Sequence, residues 1–347
     1  MKTNSKQLLQ ALQPLQGTLP SNATIKVLEC FKFEVSDNTL TITSTDLENT
    51  TINSLDVYDA NDGVWCVDGK KIIQILQGFK DDDLEFNFKD NELVIKAQHG
   101  KYKIPTESAN EYPNTPRLEG EYTEVNELPE AINRTVFSTG QDELRPIMMG
   151  VHINGNEVVA TDAHKLCKYS LNVDTGLNLT IPKKACNIIR QLPECSVKFN
   201  QTNLEVKYGN LIVITRLIDG AYPNYNAVIP KDNPNVLTIN RTLLISALKR
   251  ISTFSSKQTN QIRFSLGSEV TLSAEDVDFN QKAVEKLNGV YTGEDMAIGF
   301  NSKFLLECLN NSNANDVRIE MSAPNRAGLV KGDNQYFSLL MPVMLND

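Results

Sequence analysis

A chain that runs through the same landmarks three times, in the same order, must be built from three copies of one small fold. This sequence does so. A helical signature, Leu-x-x-Ala-Leu/Ile, occurs as Leu8/Ala11/Leu12, Leu128/Ala131/Ile132 and Leu244/Ala247/Leu248, at steps of 120 and 116 residues. Apolar residues at i, i+3 and i+4 form one stripe, so each copy predicts an amphipathic helix packed against something. A short strand closing on a small or hydroxyl residue and an acid comes next: Leu40-Thr41-Ile42-Thr43-Ser44-Thr45-Asp46, Val158-Val159-Ala160-Thr161-Asp162 and Val270-Thr271-Leu272-Ser273-Ala274-Glu275. A lysine then opens a second helical pattern, Lys70 before Ile72/Ile75/Leu76, Lys183 before Ile188/Ile189/Leu192 and Lys303 before Leu305/Cys308/Leu309. The last landmark is a strand pair around Gly100, Gly209 and Gly332. In the first two copies it leads to the same tripeptide, Tyr112-Pro113-Asn114 and Tyr222-Pro223-Asn224.

A repeat of this length excludes solenoids and propellers, whose units run roughly 20–50 residues. It predicts three domains of one fold, residues 1–118, 119–233 and 234–347, with Pro116 and Lys231-Asp232-Asn233-Pro234 supplying turn chemistry at the joins. Segments 84–88, 93–95, 204–206 and 317–319 alternate apolar and polar residues, as half-buried antiparallel strands do. Each unit therefore reads as α+β, two helices on one face of an antiparallel sheet. Pro14 falls inside the first helical pattern and should kink or end it.

Composition restricts the function. With 40% hydrophobic and 22% charged residues the chain can bury real cores, and it has no apolar run near the roughly 18 residues of a membrane span. Glutamines interrupt Leu8-Leu9-Gln10-Ala11-Leu12 where a signal peptide needs an unbroken apolar stretch, so a cytoplasmic protein is expected. Thirty-four basic against 43 acidic residues leave a net charge of −9. Gripping nucleic acid draws its affinity mainly from phosphate neutralisation, so this chain is not built as a gripper. The six cysteines (Cys30, Cys66, Cys167, Cys186, Cys195, Cys308) show no metal-ligand spacing and only three histidines accompany them. Reduced buried thiols, with no metal and no cofactor, are the expectation.

Asp162 and His164, echoed by Asp46 and Glu275, are the one arrangement resembling a general base and its orienting acid. No Gly-x-Ser-x-Gly or phosphate-binding loop accompanies them. The acid also recurs where the histidine does not, as a structural turn residue would. No catalytic residue is expected.

Four separated segments resemble one family: Glu143-Leu144-Arg145-Pro146-Ile147-Met148-Met149-Gly150-Val151, Ala160-Thr161-Asp162-Ala163-His164-Lys165-Leu166, Ile218-Asp219-Gly220-Ala221-Tyr222-Pro223-Asn224-Tyr225 and Leu340-Met341-Pro342-Val343-Met344-Leu345. The family is the bacterial DNA sliding clamp, the β subunit of the DNA polymerase III holoenzyme, and the resemblance runs from end to end in the same order. It implies a processivity factor of three tandem clamp domains, dimerising head to tail into a six-domain ring. Duplex DNA would thread the ring, a clamp loader would place it, and the replicative polymerase and other DNA-handling proteins would be tethered to it. A ring that slides has no need to grip, which accords with the acidic balance. The resemblance places Lys70, Lys71, Lys183, Lys184, Arg190, Lys249, Arg250 and Lys303 on or beside helices that would face DNA. It implies a peptide-binding pocket walled by Met148, Thr161, His164, Lys165, Leu166, Pro223, Val228, Asn301, Phe304, Leu340, Met341, Pro342 and Met344. Methionines there suit a site that repacks around several partners. The alternative is a β-rich interaction scaffold, without a replicative role, that shares the domain but forms no ring. This chain departs from the family pattern in Ala163 (usually glycine), Lys165 (usually arginine), Asn22 and Ala227 (often arginines), and in an Asn346-Asp347 extension that would add a carboxylate beside the pocket.

Overall fold

The computed structural model describes residues 1–89, 91–114 and 117–345; Pro116 and the Asn346-Asp347 extension lie outside them. Among the described residues each third carries a pair of α-helices: α1 (Ser5–Leu12) and α2 (Gly69–Gln77), α3 (Leu128–Thr135) and α4 (Lys183–Ile189), α5 (Arg241–Ile251) and α6 (Ser302–Asn310). Short polar side chains start several of them. Asn4, Asp68, Asn240 and Asn301 each accept a hydrogen bond from an amide of the first turn, satisfying a donor that the helix itself leaves orphaned. Pro14 does end α1: the chain leaves the α-helix after Leu12 and tightens into a 3-10 segment, Gln13–Thr18, with the proline in its first turn.

By backbone contacts the chain gathers into two compact units, Met1–Pro129 with Lys184–Leu217, and Glu130–Lys183 with the chain from Ile218 onward. Within the first unit, strand Asn49–Asp56 pairs antiparallel with Leu211–Arg216, and a 12-stranded sheet results. Within the second, Lys165–Ser170 pairs with Tyr336–Leu340 inside a 9-stranded sheet, and a separate 4-stranded sheet is built from strands between Gln261 and Asn301. Edge strands of neighbouring repeats thus share main-chain hydrogen bonds, which is why contacts do not separate the middle repeat from its neighbours.

The first unit's core packs Leu8 and Leu12 of α1 with Ile72 and Leu76 of α2 onto Phe31, Phe33, Leu40 and Ile42. In the second unit Leu244, Leu248, Leu305 and Leu309 of α5 and α6 do the same against Phe264, Leu272 and Phe300. These leucines are fully buried, each stabilising by roughly 1.5–3 kcal/mol. The helical signature of the middle copy, Leu128, Ala131 and Ile132, is buried as well.

One sequence landmark is placed differently. Asp46 and Asp162 both sit in tight turns after their strands, but Glu275 lies inside Val270–Asp276, exposed and ion-paired to Lys282 at 3.0 Å. The third copy continues its strand by one more residue into the hairpin around Val277–Asn280, so its acid never reaches the turn.

Candidate functional site

The turn after Thr161 is held by its own side chains. Thr161 Oγ1 donates to the Lys165 carbonyl (2.8 Å) and accepts from the Ala163 amide (3.1 Å). Asp162 Oδ1 accepts from the amides of His164 (2.9 Å) and Lys165 (2.8 Å). This geometry puts Ala163 in the left-handed region (φ 74°), where glycine sits without strain and a Cβ costs roughly 1–2 kcal/mol. The turn therefore keeps the backbone that a glycine would favour, despite the alanine.

Lys165, one of the departures from the family pattern, is turned inward. Its side chain is 5% exposed, with Nζ 2.7 Å from Asp162 Oδ2, 3.2 Å from Glu307 Oε2 on α6, and 4.4 Å above the Phe304 ring. Burial pulls its pKa down, but the hydrogen bond and charge of Asp162, with Glu307, outweigh that and hold the ammonium above its ordinary range. His164 points outward and lies over Phe304, ring centroids 6.2 Å apart. Its carbonyl accepts from the Met341 amide (2.9 Å), while the Val343 amide donates to the Gly299 carbonyl (2.8 Å). A Cβ on Gly299 would come within 2.4 Å of the Val343 oxygen, so only glycine lets the C-terminal segment lie this close. Met341 and Met344 stay exposed beside this clamp, at 44% and 69%, and Val228 at 58%.

Met148, His164, Lys165 and Phe304 line one cleft of about 580 Å³, together with Phe137, Asp142, Arg145, Lys183 and Glu307. The other expected residues stand elsewhere. Leu166 and Leu340 are buried in the core, Thr161 is buried with its hydroxyl committed to the turn, and Asn301 caps α6. Pro223 and Pro342 are half-buried on segments that flank these elements. Asp142 and Arg145 are paired at 3.1 Å; Arg145 had its place in a family-like segment to signal it, and Asp142, one residue before that segment, had nothing. An aromatic support was also missed. His152 stacks on Tyr222 (4.4 Å, 3°), and Tyr225 donates to Glu157 (2.6 Å) while packing against Val159, Leu166 and Leu339. Burial pushes the His152 pKa down and those of Tyr222 and Tyr225 up, so these groups stay neutral. The Asp162 carboxylate already receives two amides and an ammonium, which leaves it as the turn's anchor rather than a partner for His164.

The basic residues divide. Lys70, Lys71, Arg190, Lys249 and Lys303 are exposed and make no ion pair among the described residues. Lys249 stands in the last turn of α5, where a cation complements the helix dipole. Lys184 is paired to Asp46 (2.5 Å), Arg250 to Glu285, and Lys183 belongs to the cleft rather than to a free helix face. Every cysteine is a buried free thiol. Among the described residues no cluster suited to a metal is present, and no helix is long and apolar enough to cross a membrane.

Three family descriptions match in succession: the DNA polymerase III beta subunit N-terminal domain over residues 1–116, its central domain over 123–224 and its C-terminal domain over 226–344. The chain is 26% identical to the beta sliding clamp of Haemophilus influenzae over 97% of this chain and 98% of that protein. The same identity holds to the beta sliding clamp of Vibrio cholerae, over 97% and 98%. Among solved structures, a sliding clamp from Pseudomonas aeruginosa superposes with a TM-score of 0.93 at 24% identity, each chain covered to 99%. The Bacillus subtilis DNA polymerase sliding clamp gives 0.90 at 21%, again with 99% of both chains.

Proposed function

Because the chain belongs to the DNA polymerase III beta-subunit family, we propose that it works as a sliding clamp: a DNA polymerase processivity factor that encircles duplex DNA as a homodimeric ring. The observation that carries ring closure is an unfinished strand pattern. Twice within the chain an edge strand of one repeat pairs with an edge strand of the next, Asn49–Asp56 with Leu211–Arg216 and Lys165–Ser170 with Tyr336–Leu340. The third such strand, Gln281–Leu287, is an outer strand of the 4-stranded sheet. Its counterpart at the other end of the repeat series, Gly100–Glu107, meets Gly63–Asp68 through two residue pairs only. Pairing these two edges between copies repeats the internal joint, and two such joints close a head-to-tail dimer. Exposed Val277, Phe279 and Val284 supply apolar area at one edge, and Tyr102, packed edge-on against Phe79 (5.5 Å), supplies it at the other. An open edge carrying such side chains is an association site unless it is covered. A ringless scaffold has no observation in its favour.

Retention by encirclement needs only loose, sequence-blind contact with phosphates. Exposed lysines, hydrated point charges on flexible stems, suit that task, and we assign it to Lys70, Lys71, Lys249 and Lys303, with the exposed Arg190 as a further phosphate contact. The cleft at His164 and Phe304, with the flanking methionines, would take the peptide motifs of polymerase and other partners. A separate ATP-driven loader would open the ring, and the protein would work in the cytoplasm on the nucleoid. The decisive experiment loads the protein on a nicked circular plasmid and then linearises it. A threaded ring is retained on the circle and lost through the free ends, whereas equal retention on both would refute encirclement.

A further inference from the structure

The turn at Thr45 reproduces the turn at Thr161 bond for bond. Thr45 Oγ1 donates to the Asn49 carbonyl (3.1 Å) and accepts from the Leu47 amide (3.1 Å). Asp46 Oδ1 accepts from the amides of Glu48 (3.0 Å) and Asn49 (2.6 Å). Leu47 takes the left-handed conformation (φ 79°) that Ala163 takes in the other copy (φ 74°). The register agrees too, Thr50 facing Ile214 where Leu166 faces Leu339. The repeat therefore builds the scaffold of the Thr161 turn a second time, wholly within the first unit.

That second copy carries a cleft of about 500 Å³, lined by Leu47, Glu48, Pro113, Glu119, Asn203 and Ile214 among others. Its chemistry differs from that of the first copy. Leu47 is 60% exposed on a left-handed backbone, an arrangement that costs both hydration and strain. Among the described residues the one cation on the lining, Arg117, is consumed: its guanidinium holds buried Glu205 through two nitrogens, at 3.0 and 2.6 Å. Glu48 and Glu119 are exposed and make no ion pair among the described residues. An apolar wall with two exposed carboxylates that no cation of the described residues neutralises fits a short extended segment, apolar at one residue and cationic at the next.

We propose that this cleft is a second docking site, taking an extended peptide segment of a partner protein in which an apolar side chain stands next to a lysine or arginine. The two clefts share no lining residue, so they can be tested apart. An array of synthetic hexapeptides, each placing Leu or Phe beside Lys, Gln or Glu, is probed with the parent protein, with Glu48→Lys/Glu119→Lys, and with Met344→Glu. Both carboxylates are exposed, so the double variant keeps the parent's circular dichroism spectrum and melting point. Lysine-bearing peptides that lose at least tenfold in binding to Glu48→Lys/Glu119→Lys, yet bind Met344→Glu as they bind the parent, are the expected result. Peptides sensitive to Met344→Glu alone, an array that does not distinguish the double variant from the parent, or a preference of the parent for glutamate-bearing peptides would each overturn the proposal.

Discussion

Replacing Glu205 with glutamine removes a charge from a place that no solvent reaches. The side chain is 0% exposed, and its carboxylate accepts from Arg117 (3.0 and 2.6 Å), from the Tyr122 hydroxyl (2.5 Å) and from the Leu118 amide (3.0 Å). Burial by itself would raise its pKa, but the hydrogen bonds from Arg117, Tyr122 and Leu118 outweigh burial and lower it from 4.5 to about 2. At 1.36 kcal/mol per unit that difference corresponds to roughly 3 kcal/mol. Arg117 is 44% exposed, so solvent screening reduces the figure to about 2 kcal/mol. The folded pKa lies below the unfolded one. The contribution is therefore fully present above about pH 4.5 and is lost as the pH falls toward 2. For a cooperative unit of about this size, 2 kcal/mol lowers the melting temperature by about 4–8 °C. Glu205→Gln should thus melt earlier than the parent at pH 7 and at pH 5, with the gap narrowing below pH 4.5. Scanning calorimetry from pH 7 to pH 3 reads both features. Equal melting at pH 7, or a gap that widens on acidification, would refute the reasoning.

Lys165→Ala leaves Asp162 and Glu307 facing one another without their cation and should cost about 3 kcal/mol in thermal melting, while Lys165→Arg restores most of it. Gly299→Ala drives a Cβ toward the Val343 carbonyl and should displace the C-terminal segment, raising amide exchange at Val343 and weakening binding of partner peptides more than it lowers stability. Val284→Asp places a charge on the open strand edge and should shift the protein toward monomer in analytical ultracentrifugation, with circular dichroism unchanged. All six thiols should resist an aromatic disulfide reagent at pH 8 until denaturant is added: each is buried, and burial pushes Cys30 and Cys195 to about 12 and Cys66 to about 11.

Much of the site was legible because it rests on local chemistry. A threonine followed directly by an aspartate can bond the amides that follow, so the Thr161 turn and its Thr45 copy were visible as a motif. The direction in which a long side chain turns was not visible. Lys165 was expected in a pocket wall and Lys184 on a DNA-facing helix, yet folding brings Glu307 to the one and Asp46 to the other, acids more than a hundred positions away. Glu205 is the sharpest case. Its strand alternates as a half-exposed strand should, yet the carboxylate is sealed in because Arg117 and Tyr122 close over it.

What the amino-acid order alone determined is the threefold repeat, the α+β unit and its helix stripes, since each depends on periodicity and on bonds between residues a few positions apart. Tertiary structure alone decided which edges pair, which charges are neutralised and where clefts open. Those depend on groups far apart in the chain meeting at hydrogen-bond distance, and on the burial that makes each meeting strong.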